Sequence, residues 1–112
     1  MTLDEYQQAA RSTALYPREV SVLYPTLKLA GEAGEVAEKL GKLMRDEAYL
    51  PGAQLSSAQR GALSAELGDV LWYVANLAAD LGLSLEEVGA NNLAKLASRK
   101  ARGVLHGSGD DR

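Results

Sequence analysis

The sequence has no cysteine and no phenylalanine, and only one histidine. Without cysteine there are no disulfides, no thiolate metal sites and no cysteine nucleophile. A single histidine, His106 in the last seven residues, leaves no set of imidazole ligands; it reads as an ordinary tail residue. Aromatic residues are confined to five Tyr and one Trp, so the core must be built from Leu, Ala and Val, which favours closely packed helices over a sandwich. No apolar run approaches the roughly 20 residues of a membrane span. The N-terminus, Met1-Thr2-Leu3-Asp4-Glu5, has no basic signal region. A net charge of −3 excludes a basic surface that would bind nucleic acid polymers generally. These absences point to a cytoplasmic protein that works neither on a membrane nor on a nucleic acid.

What remains is helical. At 112 residues the chain has the length of one domain. Thr2 and Glu5 have capping-box spacing and open a helix to about Thr13. Pro17 and Pro25 bracket a break, and a second helix is expected from near Thr26 to about Glu47. Pro51-Gly52 marks a loop, and Ser56 or Ser57 caps a third helix ending around Gly82. Ser84 and Glu87 form a second capping box, opening a helix to about Ala101. There is no strand alternation and no repeat. The expectation is an all-α, antiparallel bundle of about four helices spanning residues 1–102, with a Gly-rich tail at 103–112. Two short helices beside one long pair leave apolar surface bare, so the core is expected to be completed by oligomerisation.

Two acidic pairs stand out: Glu32-Ala33-Gly34-Glu35 and Glu66-Leu67-Gly68-Asp69. At i, i+3 both carboxylates of a pair share one helix flank. With about 100° per residue, Leu29, Ala33, Val36, Leu40, Leu43 and Met44 form the apolar stripe of the second helix. Leu63, Leu67, Val70, Val74, Leu77 and Leu81 form that of the third. The acidic pairs flank these stripes on the same hand, so antiparallel packing through the stripes brings them to one side. Glu35 and Asp69 should lie nearly level. Carboxylates gathered in this way repel one another unless a cation sits among them. Oxygen ligands suit a hard cation such as Mg²⁺, which is usually shared with substrate phosphates. The plainer alternative is a solvated face, with Glu35 paired to Lys39 and Glu38 to Lys42 at i, i+4. Neither Glu66 nor Asp69 has a basic residue at i+4. A ferritin-like di-iron site would need Glu-x-x-His motifs, and neither acidic pair contains a histidine.

These residues resemble the MazG-type nucleoside triphosphate pyrophosphohydrolases of the all-α NTP pyrophosphatase superfamily. The resemblance runs from Glu5-Tyr6-Gln7 through Leu29-Ala30-Gly31-Glu32-Ala33-Gly34-Glu35-Val36 and Glu66-Leu67-Gly68-Asp69-Val70-Leu71-Trp72-Tyr73. It continues through Asn92-Leu93-Ala94-Lys95-Leu96, Arg99 and Arg102-Gly103 to Gly107-Ser108-Gly109-Asp110. The gap between the two acidic pairs stands at or slightly beyond the usual upper end, the excess falling in the Ala48–Ser57 loop. The resemblance implies cleavage of a nucleoside triphosphate between its α and β phosphates, giving a monophosphate and pyrophosphate. It implies Mg²⁺ or Mn²⁺ on Glu32, Glu35, Glu66 and Asp69, with Lys95, Arg99 and Asn92 on the nucleotide. It also implies a homodimer or homotetramer.

Glu35 or Glu38, at the edge of the cluster, is the candidate for taking a proton from the attacking water; for Glu38 an exposed pair with Lys42 is the preferred reading. Arg112 and the Gly-rich tail could close on the substrate as anion contacts, the alternative being a frayed terminus. Tyr73 and Asn76 lie on the acidic flank as sugar or base contacts, with a hydrogen-bonded structural role equally open for the tyrosine. Trp72 lies opposite the stripe and is expected to face a partner subunit in preference to a base pocket. From a different class, a catalytically silent helical dimer acting as a regulatory or nucleotide-binding module is the competing function.

Overall fold

The computed structural model describes all 112 residues. Four α-helices follow one another: α1 (Leu3–Arg11), α2 (Leu23–Asp46), α3 (Ser57–Asp80) and α4 (Leu85–Ala101), with a 3₁₀ turn at Arg18–Val20. There are no strands, so the protein is an all-α helical bundle. No helix is long and apolar enough to cross a membrane.

The local start signals act as expected in two places. Thr2 and Glu5 cap α1 reciprocally, and Ser56 and Gln59 do the same for α3. At α4 only half of the expected box forms. Ser84 Oγ accepts from the Glu87 N–H, while Asp4 of α1 accepts from the Ser84 hydroxyl and from the Glu86 N–H. The Asp4 carboxylate does not replace the missing Glu87 bond to the Ser84 N–H; it caps a different free N–H, that of Glu86, and suits the positive end of α4. α1 stops at Arg11, two residues early, as the Ser12 and Thr13 hydroxyls bond back to the carbonyls of Ala9 and Ala10.

α2 begins at Leu23 and not at Thr26, so Pro25 is no break. In the first turn a proline loses nothing, because its missing N–H would have had no helical partner. Pro25 is buried there. The entry to α2 is strained: Val22 sits at φ 67°, where a β-branched residue is disfavoured, and Leu23 N–H bonds to Ser21 C=O at 2.8 Å in a γ-turn. Asp80, the last residue of α3, holds this turn. Its carboxylate accepts from the Val22 N–H at 2.9 Å and the Tyr16 hydroxyl at 2.8 Å, with Arg11 Nη1 at 2.6 Å.

α2 and α3 pack antiparallel, as expected. Links between them occur at three levels: Glu47 with Gln59, Lys39 with Glu66, and the start of α2 with Asp80. Leu43 is buried in this seam, and Leu29, Val36, Leu40, Leu63, Val70, Val74 and Leu77 are half-buried. Met44, Leu67 and Leu81 of the expected stripes fall outside it and are about half exposed.

α1 lies across the opposite face of α3, near its C-terminal end, and α4 docks on both. This junction is the main core, made of Ala10, Ala75, Ala78 and Leu85 with Tyr6, Trp72 and Val74 against them. Alanines at the crossing let the helix backbones approach closely. Gln7 stitches it together: its amide nitrogen donates to the carbonyls of Ala75 and Leu83, and its oxygen accepts from the Leu85 N–H. Gln7→Leu takes the partner from the Leu83 carbonyl and the Leu85 N–H and is expected to destabilise the protein by about 2 kcal/mol, read as a lowered urea midpoint with an unchanged m-value.

Only 8 of 112 residues are buried. The radius of gyration is 17.1 Å, against the roughly 13 Å expected of a compact chain of this length. Sixteen large apolar residues are exposed, Leu27, Leu67, Leu71, Leu93 and Leu96 among them.

Candidate metal centre and the cavity beside it

The hairpin of α2 and α3 brings together three of the four expected carboxylates. Oxygen atoms of Glu32, Glu66 and Asp69 lie within 4.8 Å of one another. Glu32 and Glu66 are half-buried, with side chains 18% and 17% exposed, while Asp69 is open to solvent. Glu35 is exposed and lies outside this group. The i, i+3 spacing places both members of a pair on one flank, yet the outer member of the α2 pair turns further toward solvent than its partner.

Three lysines pair with carboxylates along this flank, one as the sequence suggested and two not. Glu38 pairs with Lys42 at 3.2 Å on the exposed side, as expected. The expected Glu35–Lys39 pair does not form. Lys39 crosses the seam instead and places its Nζ 2.6 Å from Glu66 Oε1. Lys28, which sequence reasoning passed over, lies 3.8 Å from Glu32 and 6.0 Å from the centre of the Tyr73 ring. Its signal was available, since Lys28 precedes Glu32 by four residues.

Around the carboxylates stand tyrosines. Burial raises the Tyr73 phenol, and Tyr24 together with the negative charges of Glu32 and Asp69 carries it to about 12. The Tyr6 phenol is also raised, by burial first and by Asp69 second. Both hydroxyls therefore remain protonated at neutral pH and can donate to an anion. Tyr73 meets the expectation that it lies on the acidic flank; Tyr6 and Tyr24 reach this region through folds of the chain that no local pattern announces.

Glu32, Asp69, Trp72 and Tyr73 line a cavity of about 320 Å³. On the other side of Trp72 a second cavity, about 360 Å³, is lined by Leu15, Tyr16, Pro17, Tyr24 and Trp72. The aromatic rings form a continuous series. Tyr16 and Tyr24 lie 5.1 Å apart, Tyr24 and Tyr73 6.2 Å apart, and Trp72 meets Tyr73 edge-on at 4.8 Å. Trp72 thus turns toward its own chain: its indole N–H donates to Thr13 Oγ1 at 2.8 Å and its ring packs on the α1 junction. The outward, subunit-facing position expected for it is corrected, because α1 covers the face of α3 that a two-helix reading leaves open.

Asn76 is also a correction. It is wholly buried, its amide nitrogen donating to the Trp72 carbonyl and its oxygen lying 3.4 Å from Arg11 Nη1. That position makes it a core residue and not a sugar or base contact.

α4 and the tail form a separate assembly. Asn92 and Lys95 line a shallow cavity of about 380 Å³ with Val88 and Asn91, away from the carboxylates. Arg99 is buried, and its Nη2 donates to the Asp110 carbonyl at 2.8 Å. The tail is wound around Arg112, whose guanidinium donates to the carbonyls of Val104, Gly109 and Leu105. Gly107 permits this at φ 119°, with room for no Cβ without shifting Arg112. In this conformation the tail folds back on itself around Arg112, away from the carboxylates.

An all-helical hairpin with clustered carboxylates beside an aromatic cavity defines the class of the protein: an all-α domain with an acidic cluster on its central hairpin. Residues 23–104 match the family described as the MazG nucleotide pyrophosphohydrolase domain. The chain belongs to this family. It is also 47% identical, over 118 aligned residues covering all of both chains, to the Gene 37 protein of Mycobacterium phage L5. No solved structure matches the chain.

The donor set fits a hard divalent cation. It offers only carboxylate oxygens, three of them within reach of one centre, and the Lys39 ammonium already stands against one of them as a cation would.

Proposed function

We propose that the protein hydrolyses nucleoside or deoxynucleoside triphosphates between the α and β phosphates, releasing pyrophosphate and a monophosphate. The supporting observation is the juxtaposition of Glu32, Glu66 and Asp69 with the aromatic cavity across Trp72. Glu32, Glu66 and Asp69 hold Mg²⁺ or Mn²⁺, and Glu35 completes the set by turning in from its exposed position. Bound there, the metal supplies charge neutralisation for the departing pyrophosphate and lowers the pKa of a water molecule. Glu35 or Glu38 would accept the proton of the attacking water; Glu35 here stands outside the cluster and Glu38 is paired with Lys42. The protonated Tyr73 hydroxyl donates to a phosphate oxygen. Tyr16, Tyr24 and Trp72 enclose a flat base, and the shape of this cavity sets base choice.

The open shape of the chain and its exposed leucines support a homo-oligomer as the working form. Lys95 and Asn92 then meet the triphosphate from a second copy, whereas Arg99, buried against the tail, holds Asp110 and not the nucleotide. The activity places the protein in the sanitation or control of a nucleotide pool.

The test is pyrophosphate release from a panel of canonical and modified NTPs and dNTPs, with Mg²⁺, with Mn²⁺ and with EDTA. Release from a subset, abolished by EDTA, is the expected result and names the substrate. Binding of nucleotide without release across the whole panel would instead establish a silent nucleotide-binding module.

A further inference from the structure

Lys39 is the one basic side chain that enters the carboxylate cluster from the opposite side of the seam. It gives up an available i, i+4 partner on its own helix, Glu35, for a contact of 2.6 Å with Glu66 on α3. Exposed i, i+4 pairs are worth only a few tenths of a kcal/mol, so a stronger field easily outweighs them. Here oxygens of three like-charged carboxylates lie within 4.8 Å of one another, and two of the side chains are largely withdrawn from water. A lysine suits the task, carrying a compact charge on a four-carbon stem that can swing in and out.

We propose that Lys39 is the resident counter-cation of this cluster. When no divalent cation is bound, its ammonium holds Glu66 and ties α2 to α3. When a divalent cation arrives, the ammonium must leave Glu66, so lysine and metal compete. Lys39 thereby weakens binding of the bare metal while keeping the carboxylates gathered and the two helices in register. The proposal rests on the metal reading given above, and it concerns a positioning residue, not a group that touches the reacting atoms. Lys28 does not share the role, since at 3.8 Å from Glu32 it is an ordinary i, i+4 neighbour.

The test uses the full chain without nucleotide. Lys39→Met keeps the length and the apolar stem and removes the charge, while Lys39→Arg keeps the charge. Free Mn²⁺ is followed by electron paramagnetic resonance during titration, and melting is recorded in EDTA and in saturating Mn²⁺. Lys39→Met is expected to bind Mn²⁺ about tenfold more tightly than the wild type, a usual size for the coupling between two ligands of one protein. It should also melt lower in EDTA and gain more from Mn²⁺, whereas Lys39→Arg stays close to wild type on both counts. Should Lys39→Met fail to fold, Lys39→Gln provides the same comparison. Equal or weaker Mn²⁺ affinity in the neutral variant, with wild-type binding intact, overturns the role of Lys39 alone. No Mn²⁺ binding by any of the proteins overturns it together with the metal reading.

Discussion

Asp69→Asn is expected to reduce pyrophosphate release on the order of 10³-fold while leaving helix content and melting temperature essentially unchanged. The two halves of this result have separate causes. Asp69 is exposed, and the amide has the same shape, so packing along α3 is undisturbed. Removing one of three neighbouring like charges relieves repulsion, and the fold loses nothing by it. The loss falls on the cation. A neutral amide is a much poorer partner for a hard divalent ion than a carboxylate. A divalent metal held there would contribute several kcal/mol to stabilising charge in the transition state, and about 1.4 kcal/mol corresponds to a factor of ten. Steady-state pyrophosphate release in Mg²⁺, beside a circular dichroism melt, checks both halves. Full turnover in a folded Asp69→Asn protein would end the metal assignment. Glu35→Gln is the informative companion: a loss of the same size means that Glu35 joins the cluster when the metal binds, although it stands outside it here.

The largest effect on stability is expected at Asp80. Its side chain is fully buried and accepts from the Val22 N–H and the Tyr16 hydroxyl, with Arg11 paired against it. Asp80→Asn keeps the shape but turns an amide NH₂ toward a site where every neighbour is a donor. The amide oxygen can take the Oδ2 place and keep the bonds from Val22 and Tyr16, so the NH₂ faces Arg11 and the ion pair is what is lost. Breaking a buried pair costs about 3–5 kcal/mol. Arg11 is 42% exposed and can return to water, so about 3 kcal/mol is expected, a fall of more than about 10 °C in Tm. The pH dependence follows from the direction of the Asp80 pKa. Burial pushes it up, but the Val22 N–H, Tyr16 and Arg11 outweigh this and hold it below the ordinary value of 3.8. A carboxylate depressed in the folded state stabilises the protein above its unfolded value, and that contribution is lost as the pH falls through the lower folded value. The wild type should therefore show no change from this group at neutral pH and lose stability below about pH 4, a loss that Asp80→Asn does not share. Parallel acid profiles of Tm for the two proteins, differing only by a constant, would contradict the assignment.

Both predictions rest on features of unequal legibility. The pair Glu32 and Glu35 and the pair Glu66 and Asp69 are visible as i, i+3 spacings, and the loop between their helices dictates that the helices return antiparallel. The convergence of carboxylates therefore follows from local pattern and one short connection. Asp80 offers no such sign. It is one acidic residue at a helix end, and its partners lie at positions 11, 16 and 22, brought to it only when α1 crosses α3.

The same distinction runs through the rest of the molecule. Sequence alone determines the helical class, the reciprocal caps at Thr2 and Ser56, the antiparallel α2–α3 pair and the acidic flank, because each depends on groups within four residues of one another or on a single periodicity. Only the tertiary structure decides that Trp72 turns inward, that Asn76 is core, that Lys39 leaves Glu35 for Glu66 and that Glu35 stays outside the cluster. Each of those outcomes is a competition between a local partner and a distant one. The winner is set by burial and by the field of groups far away in the chain, quantities that exist only once the helices have packed.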